Sequence, residues 1–455
     1  TAPRAPTSVT NPAMSTSTLN APSIAPPQDL QPASVPVYGA LAVPKLAEEE
    51  VPPDGLTLDA AIERYVRENL DLRAQFMEIP QADADILTAS LRSNPVFYAD
   101  SQLVHYGQYS NARPGGQTQY DVNVSYPLDL THKRRARTVS AQRAKKTLEA
   151  QYQDAVRQGI DNVYTAYVDL LQARGTVRFG EVGVEGLRDV LKSTEALFRK
   201  GEQPQTAVNR VDLQLKTAEN GLRRDRETYR RAKRALGYLL GMTPQEAEAM
   251  EVRGSLRDTF PPPPPVEELQ RIALSARPDI YSFRVGISRA EADVKLARAN
   301  FLQDVYVLYQ PYTLQDNTWQ GLKSPTSWAL GVTIPIPVYN RNQGAILRAK
   351  LNVTQTQIQL AALERTALND VRQAEQAYHT SLENLRRIEA EVLPDADKVL
   401  ADSKRLFESG EITVIELLNA RREYNDVARQ YLDALVAHRR SMLDLNTALG
   451  QRILP

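Results

Sequence analysis

The sequence predicts a mainly α-helical fold class that carries a membrane β-barrel, and three observations support this prediction. The chain repeats itself with an offset of about 208 positions, as between Val124 and Val332. Each copy contains a helical pattern of about seventy residues. Alternating large apolar and small polar residues precede each pattern, which is typical of strands. Each copy is therefore predicted to contain a helix, two strands, a very long helix, a turn and a return helix.

The duplication extends through the helical part of each copy. The Phe-Arg-Lys-Gly-Glu segment at 198–202 matches the Phe-Glu-Ser-Gly-Glu segment at 407–411, and both copies end in Leu-Gly, at 240–241 and 449–450. Solenoid repeats are only about 20 to 50 residues long. The longer period indicates one duplicated domain.

The composition limits the classes of protein that fit. The chain has 455 residues, with 55 basic and 55 acidic side chains but only 8 Phe and 2 Trp. Such a composition suits long helices with narrow apolar seams better than a thick core. A net charge of zero argues against nucleic-acid binding. The absence of Cys excludes disulfides and thiolate metal sites, and the sequence has no run of 18 apolar residues that would predict a membrane-spanning helix.

Four segments are predicted along the chain. Residues 1–55, rich in Pro, Ser, Thr and Ala, are predicted to form a disordered or extended leader. Residues 56–240 form the first predicted repeat and 266–450 the second. A Pro-rich linker at 241–265 separates them and ends in five consecutive prolines.

Each repeat is predicted to contain two strands and one helical hairpin. The strands are expected at about 96–108, 117–130, 303–313 and 326–338, and the hairpins at 131–240 and 340–449. A single helix is expected over 56–92, and the polar loop at 111–116 is expected to be a hairpin tip. Four glycines between 175 and 186 should loosen the first long helix, and Pro394 should kink the second.

The strand faces favour a membrane location. In 117–130 one face carries Val122 and Val124 and the other Asn123 and Ser125. A half-buried soluble sheet shows the same alternation. Here only about four strands are predicted, and the apolar sides of the helices pack against one another. Lipid is therefore needed to cover the apolar faces of the strands.

Several copies must then complete one barrel, because an open sheet in lipid leaves unpaired edges. Two copies would supply eight strands, which is too narrow for an aqueous pore. Three copies supply twelve, so a homotrimer is the simplest arrangement that leaves a conduit.

The motifs resemble the TolC family of outer-membrane efflux channels, over about residues 56–450. The most specific segment is 332–344, which is similar to the second strand pair of the CusC/CzcC-like metal-efflux branch. The segments 392–397 and 406–411 add to the resemblance.

The resemblance implies a trimer with a 12-strand β-barrel and a 12-helix α-barrel, located in the outer membrane of a Gram-negative-type bacterium with the helices in the periplasm. The implied function is a passive export duct for metal ions or small molecules, and the implied partners are a periplasmic adaptor and an inner-membrane pump. A type I protein secretion duct of the same family and a soluble coiled-coil scaffold are the alternatives.

The resemblance also implies roles for residues near the two helix turns. Glu416 and Asn419 fall on the positions that narrow the pore, whereas the first copy has Ala207 at the position matching Glu416. The periplasmic tip turns would contain four residues, namely Gly201, Glu202, Gly410 and Glu411.

Two further groups have open interpretations. Tyr120, Tyr126 and Trp328 are either sheet-packing residues or aromatic anchors at the barrel rim. The basic run at 133–146 is either a solvated helix face or a headgroup anchor at the inner rim, and nucleic-acid binding is the least favoured interpretation.

Catalysis has no support in the sequence. The four histidines are widely scattered, and no phosphate loop, nucleophile elbow or zinc-protease motif is present. We therefore expect no enzyme activity, no catalytic residue, no metal site, no cofactor and no nucleic-acid partner.

Overall fold

The computed structural model describes residues 55–104, 117–256, 262–316 and 326–454. They belong to one compact unit of the chain, Leu41–Pro455. The predicted leader up to residue 54, the end of the first predicted strand at 105–108, the predicted hairpin tip at 111–116, and Pro261 lie outside the described residues.

Three short helices open the first copy: α1 (Leu58–Glu68), α2 (Leu70–Phe76) and α3 (Glu78–Ser90). The prediction of one helix over 56–92 is therefore wrong. Asn69 separates α1 from α2, because its Oδ1 accepts a hydrogen bond from Leu72 N at 3.0 Å and its Nδ2 donates to Leu239 O at 3.0 Å. Asparagine favours such N-cap positions over helix interiors.

Four strands form one antiparallel sheet in the order β1-β2-β3-β4. The first copy supplies β1 (Val96–Val104) and β2 (Gln117–Leu128), and the second supplies β3 (Val305–Asp316) and β4 (Thr326–Thr333). The two copies therefore meet along β2 and β3.

Three strand ends differ from the predictions. β4 ends at Thr333, not at residue 338, because Pro335 and Pro337 have no N–H to donate to a neighbouring strand. β3 extends to Asp316 past a register shift between Gln310 and Thr313, which accommodates Pro311. β2 ends at residue 128, two residues earlier than predicted.

Long helices follow each strand pair. The helix α4 (Lys133–Arg199) has 67 residues and is continuous through its four glycines. At 1.5 Å per residue it is about 100 Å long. It returns through α5 (Gln205–Leu239). A short α6 (Pro244–Ala249) and a parallel bridge from Leu56 to Val252 then give structure to the predicted linker.

The second copy begins with α7 (Val266–Ala276) and α8 (Pro278–Ala299) before its strands. Its long helix consists of α9 (Gln343–Arg387), a π-helical turn (Ile388–Val392) and α10 (Leu393–Glu408). The π-helical turn lies directly before Pro394, where a kink was predicted, because proline cannot donate the α-helical hydrogen bond. The last helix is α11 (Val414–Leu449).

Apolar seams hold the helices together. One cluster near the helix turns joins α4 and α5 to α10 and α11, and includes Val184, Val211, Phe407 and Leu417. Burial of each such side chain contributes about 1.5–3 kcal/mol. Within the described part of the chain, no helix has both the length and the hydropathy of a membrane span.

A buried polar site lies on α4, well below the sheet. Asp161 Oδ2 is 3.6 Å from Arg157 Nη1, and Arg157 Nη2 is 2.8 Å from Asp154 Oδ1. Burial raises the pKa of Asp161 to about 6, with a hydrogen bond from Thr447 and the charge of Arg157 opposing the rise.

The raised pKa of Asp161 predicts a loss of folding stability that depends on pH. A carboxyl group whose pKa is higher in the folded state favours folding when protonated, so its contribution falls as pH rises from about 4 to about 6. We expect Asp161→Asn to stabilise the protein by roughly 1–3 kcal/mol at pH 7 and by almost nothing at pH 4. Thermal unfolding followed by circular dichroism checks this. A stability difference that is independent of pH would contradict it.

Candidate functional site

One face of the sheet carries polar side chains. Residues directly opposite each other in an antiparallel pair share a face, and the register places Asp100 of β1 opposite Asp121 of β2. Asp121 accepts hydrogen bonds from Gln119 Nε2 at 2.7 Å and Gln310 Nε2 at 2.8 Å. Asp100 accepts one from Gln102 Nε2 at 2.8 Å. This face therefore presents two neighbouring carboxylates to which amide groups donate.

The sequence analysis missed this aspartate pair. Asp100 and Asp121 lie in different strands, and only the register shows that they are partners. Like charges directly opposite each other destabilise a strand pair, so the arrangement costs stability. It gives the polar face a negative potential, which attracts cations.

The opposite face is apolar and exposed. Val124 shares it with its cross-strand partners Phe97 and Tyr309, and Tyr309 in turn faces Leu330. Phe97 and Leu330 are both 67% exposed, and Val332 is 59% exposed. Contiguous exposed apolar surfaces mark interaction sites with protein or membrane.

The three predicted rim aromatics occupy two levels of the sheet. Tyr120 pairs with Leu314 and, with Trp328, lies in the half of the sheet remote from the helices. Tyr126 pairs with Val307 in the half next to the helices. Trp328 is 72% exposed. The structure does not bring the three together but distributes them between the two ends of the apolar face.

Both predicted glycine turns have the same backbone geometry. Gly201 has φ of 81° and Gly410 has φ of 79°. Glu202 N donates to Leu197 O at 2.9 Å, and the corresponding bond from Glu411 N to Leu406 O is also 2.9 Å. This is the Schellman arrangement, in which a left-handed glycine ends the helix.

Glu416 has a structural role that the sequence analysis overlooked. Its Oε2 accepts a hydrogen bond from Thr413 N at 2.8 Å, and its own N donates to Thr413 Oγ1 at 3.4 Å. These two bonds form a capping box at the start of α11, which the Thr-x-x-Glu pattern could have revealed. Asn419 lies one turn further along, and both side chains are exposed.

The two hairpins differ in the surfaces they present near the turns. Phe198 is 40% exposed, whereas its counterpart Phe407 is 4% exposed. Ala207 is buried, whereas its counterpart Glu416 is exposed. The first copy therefore has no acidic group at this position, and the methyl group of Ala207 packs into the apolar cluster instead.

Comparison with known proteins identifies the family. The family model described as "Outer membrane efflux protein" matches residues 61–242 and 269–451. These two stretches correspond to the two copies and together make up more than half of the chain.

Individual relatives cover nearly the same length. The cobalt-zinc-cadmium resistance protein CzcC of Cupriavidus metallidurans is 24% identical over 420 residues, which cover 91% of this chain and 94% of that protein. The cation efflux system protein CusC of Escherichia coli K12 is 21% identical over 393 residues, covering 84% of each chain.

A solved structure of CusC has the same fold, with a TM-score of 0.70 at 17% sequence identity over 94% of this chain and 99% of that chain. In the described residues, no three His, Cys, Asp or Glu side chains are grouped to hold a metal ion.

The family match confirms the resemblance found in the sequence. The chain belongs to the outer membrane efflux protein family and is an efflux channel of the outer membrane.

Proposed function

We propose that three copies of this chain pair edge to edge to form one barrel. The resulting channel would work with a periplasmic adaptor and an inner-membrane pump to export metal cations. The observation that carries the proposal is the four-stranded sheet with one polar and one exposed apolar face. Its edge strands, β1 and β4, each have one side without a partner among the described strands. Unpaired strand edges are prohibitive in lipid, so other copies must cover them.

The chain direction supports closure by neighbouring copies. β1 runs away from the helices and β4 runs back towards them, so β4 of one copy would lie antiparallel to β1 of the next. Three copies supply twelve strands, which leave room for an aqueous pore. Tyr120 and Trp328 would then lie near the outer rim and Tyr126 near the inner rim, where aromatic side chains favour the interface.

Two observations support metal cations as the cargo. CzcC and CusC are named for cobalt-zinc-cadmium resistance and cation efflux. The carboxylates of Asp100 and Asp121 lie on the face that would line the pore.

Mass and cross-linking together test the trimer. Native mass measurement in mild detergent should give three times the chain mass. The chain contains no Cys, so any disulfide that forms must come from the introduced cysteines. Ala99→Cys on β1 combined with Trp328→Cys, Leu330→Cys or Val332→Cys on β4 should give covalent dimers and trimers upon oxidation.

Within one copy these positions are three strand spacings apart, about 14 Å, so a disulfide can form only between copies. The single-cysteine variants are the controls. A stable monomer with intact strands and no cross-link in any pairing would contradict the trimer.

Glu416 is proposed to form a ring of three carboxylates at the periplasmic constriction, with Asn419 one turn away. Glu416→Gln should weaken block by divalent ions and reduce cation preference, because the charge is lost while the amide can still accept the capping bond. Thr413→Ala is the matched control. It should cost about 1 kcal/mol of stability through the lost cap but leave selectivity unchanged.

Single-channel recordings in planar bilayers, with and without millimolar divalent ions, distinguish the two variants. If Thr413→Ala changes the block and Glu416→Gln does not, the cap rather than the charge controls the pore. If neither changes it, the constriction lies elsewhere, with Glu202 and Glu411 at the turns the next residues to test.

A further inference from the structure

Positive charge is concentrated where the helices adjoin the sheet. The whole chain has equal numbers of basic and acidic residues, yet 130–148 contains seven basic and no acidic residues. Residues 338–363 contain three basic and no acidic residues. A neutral chain therefore carries a local excess of positive charge in both copies.

Six exposed arginines come from all four helix ends beside the sheet, and we call them the arginine collar. They are Arg92, Arg134, Arg135, Arg137, Arg298 and Arg341. Each lies within nine residues of the strand end nearest to it. The collar therefore lies at the level where the apolar sheet face ends.

The nearby acidic groups are already engaged. Asp129 accepts hydrogen bonds from the backbone N of Lys133 at 2.7 Å and of Arg134 at 3.0 Å, and so caps α4. Asp304 Oδ1 pairs with Lys133 Nζ at 2.7 Å. None of the ion pairs among the described residues involves a collar arginine. Because arginine does not lose its proton in proteins, the collar keeps its positive charge at any ordinary pH.

We propose that the arginine collar binds the phosphate groups of anionic phospholipids in the membrane leaflet next to the helices. The inference rests on the proposed barrel, which places the collar just beyond the apolar face, at headgroup depth. Arginine presents a planar fork that pairs with phosphate through two parallel hydrogen bonds. Its long stem covers apolar surface while the guanidinium reaches the polar layer.

Native mass spectrometry of the full chain in mild detergent tests the proposal. Phosphatidylglycerol and phosphatidylcholine with identical acyl chains are titrated as probes. The wild type should bind phosphatidylglycerol preferentially. In the triple variant Arg134→Gln, Arg135→Gln, Arg137→Gln, the preference for phosphatidylglycerol over phosphatidylcholine should fall about tenfold or more. Each basic group near an anionic surface contributes to binding.

The matched control removes the same charge elsewhere. Arg223, Arg224 and Arg231 are exposed on α5, far from the sheet, and none occurs in the ion pairs of the described residues. Replacing these three with Gln should leave the lipid preference unchanged. Raising the salt concentration should weaken the preference in the wild type, because exposed charges are screened.

Three results would overturn the proposal: equal binding of the two lipids by the wild type, an unchanged preference in the collar variant, or complete competition by millimolar inorganic phosphate, which would assign the collar to free anions. The same spectra report subunit number. A monomeric wild type would contradict the proposed trimer, whereas trimers without lipid preference would contradict the collar alone.

Discussion

Replacement of Val124 by Arg is expected to destabilise the protein in a bilayer by roughly 2–4 kcal/mol. Val124 lies on the exposed apolar face, in one row with Phe97, Tyr309 and Leu330. The charged side chain of an arginine at that level would be transferred from water into hydrocarbon. Denaturation of vesicle-reconstituted protein with guanidinium chloride, followed by the fluorescence of the chain's two tryptophans, measures the loss of stability.

Asn123 is the matched control because it is the neighbouring residue on the same strand and points to the opposite face. Asn123→Arg should cost less than about 1 kcal/mol, since an aqueous lumen hydrates the charge. Equal losses for the two variants would contradict the assignment of one face to lipid and the other to the pore.

Gly450→Ala is expected to cost about 3 kcal/mol or more. Gly450 ends α11 with φ of 73°, a conformation that strains any residue with a Cβ by about 1–2 kcal/mol. An added Cβ would also lie 2.7 Å from Arg277 Cα and 3.0 Å from Arg277 N. Because both contacts are with backbone atoms, neither can be relieved by a side-chain rotation.

Two other glycines separate strain from contact. Gly410 has φ of 79° with no atom within 4 Å of an added Cβ, so Gly410→Ala should cost only the strain, about 1–2 kcal/mol. Gly241, the counterpart of Gly450, has φ of 66° and a nearest contact of 3.4 Å, an ordinary van der Waals distance, so Gly241→Ala should also cost about the strain alone. Thermal unfolding ranks the three. Equal losses would show that the backbone around Arg277 yields to the methyl group.

Local chemistry determined the features that could be predicted from sequence. Glycine is the residue that tolerates the left-handed turn, so both helix turns were placed correctly at Gly201 and Gly410. Alternation in the four strands predicted their existence, because the strand period of two is visible without a partner. The long helices followed from their uninterrupted pattern.

Features set by distant contacts could not be predicted. Asn69 breaks the first helix partly because its amide reaches Leu239 O, 170 residues away. The pairing of Asp100 with Asp121 depends on strand register. The gate assignment of Glu416 came from resemblance alone and remains a prediction. Its capping bonds to Thr413, in contrast, could have been predicted from the local Thr-x-x-Glu pattern.

The π-helical turn at Ile388–Val392 breaks the equivalence of the two copies. A π-helical turn holds one residue more than an α-helical turn, and one residue corresponds to a rotation of about 100°. The matching positions beyond it are nevertheless still at least partly buried in both copies, as Leu187 and Ala396 illustrate, and the copies differ instead at single residues, such as the exposed Phe198 and the buried Phe407. Gene duplication thus produced two hairpins with one backbone course and two different outer surfaces. In the proposed trimer, the ring of six hairpins would have threefold and only approximate sixfold symmetry, so a partner that contacts every hairpin would meet two alternating surfaces.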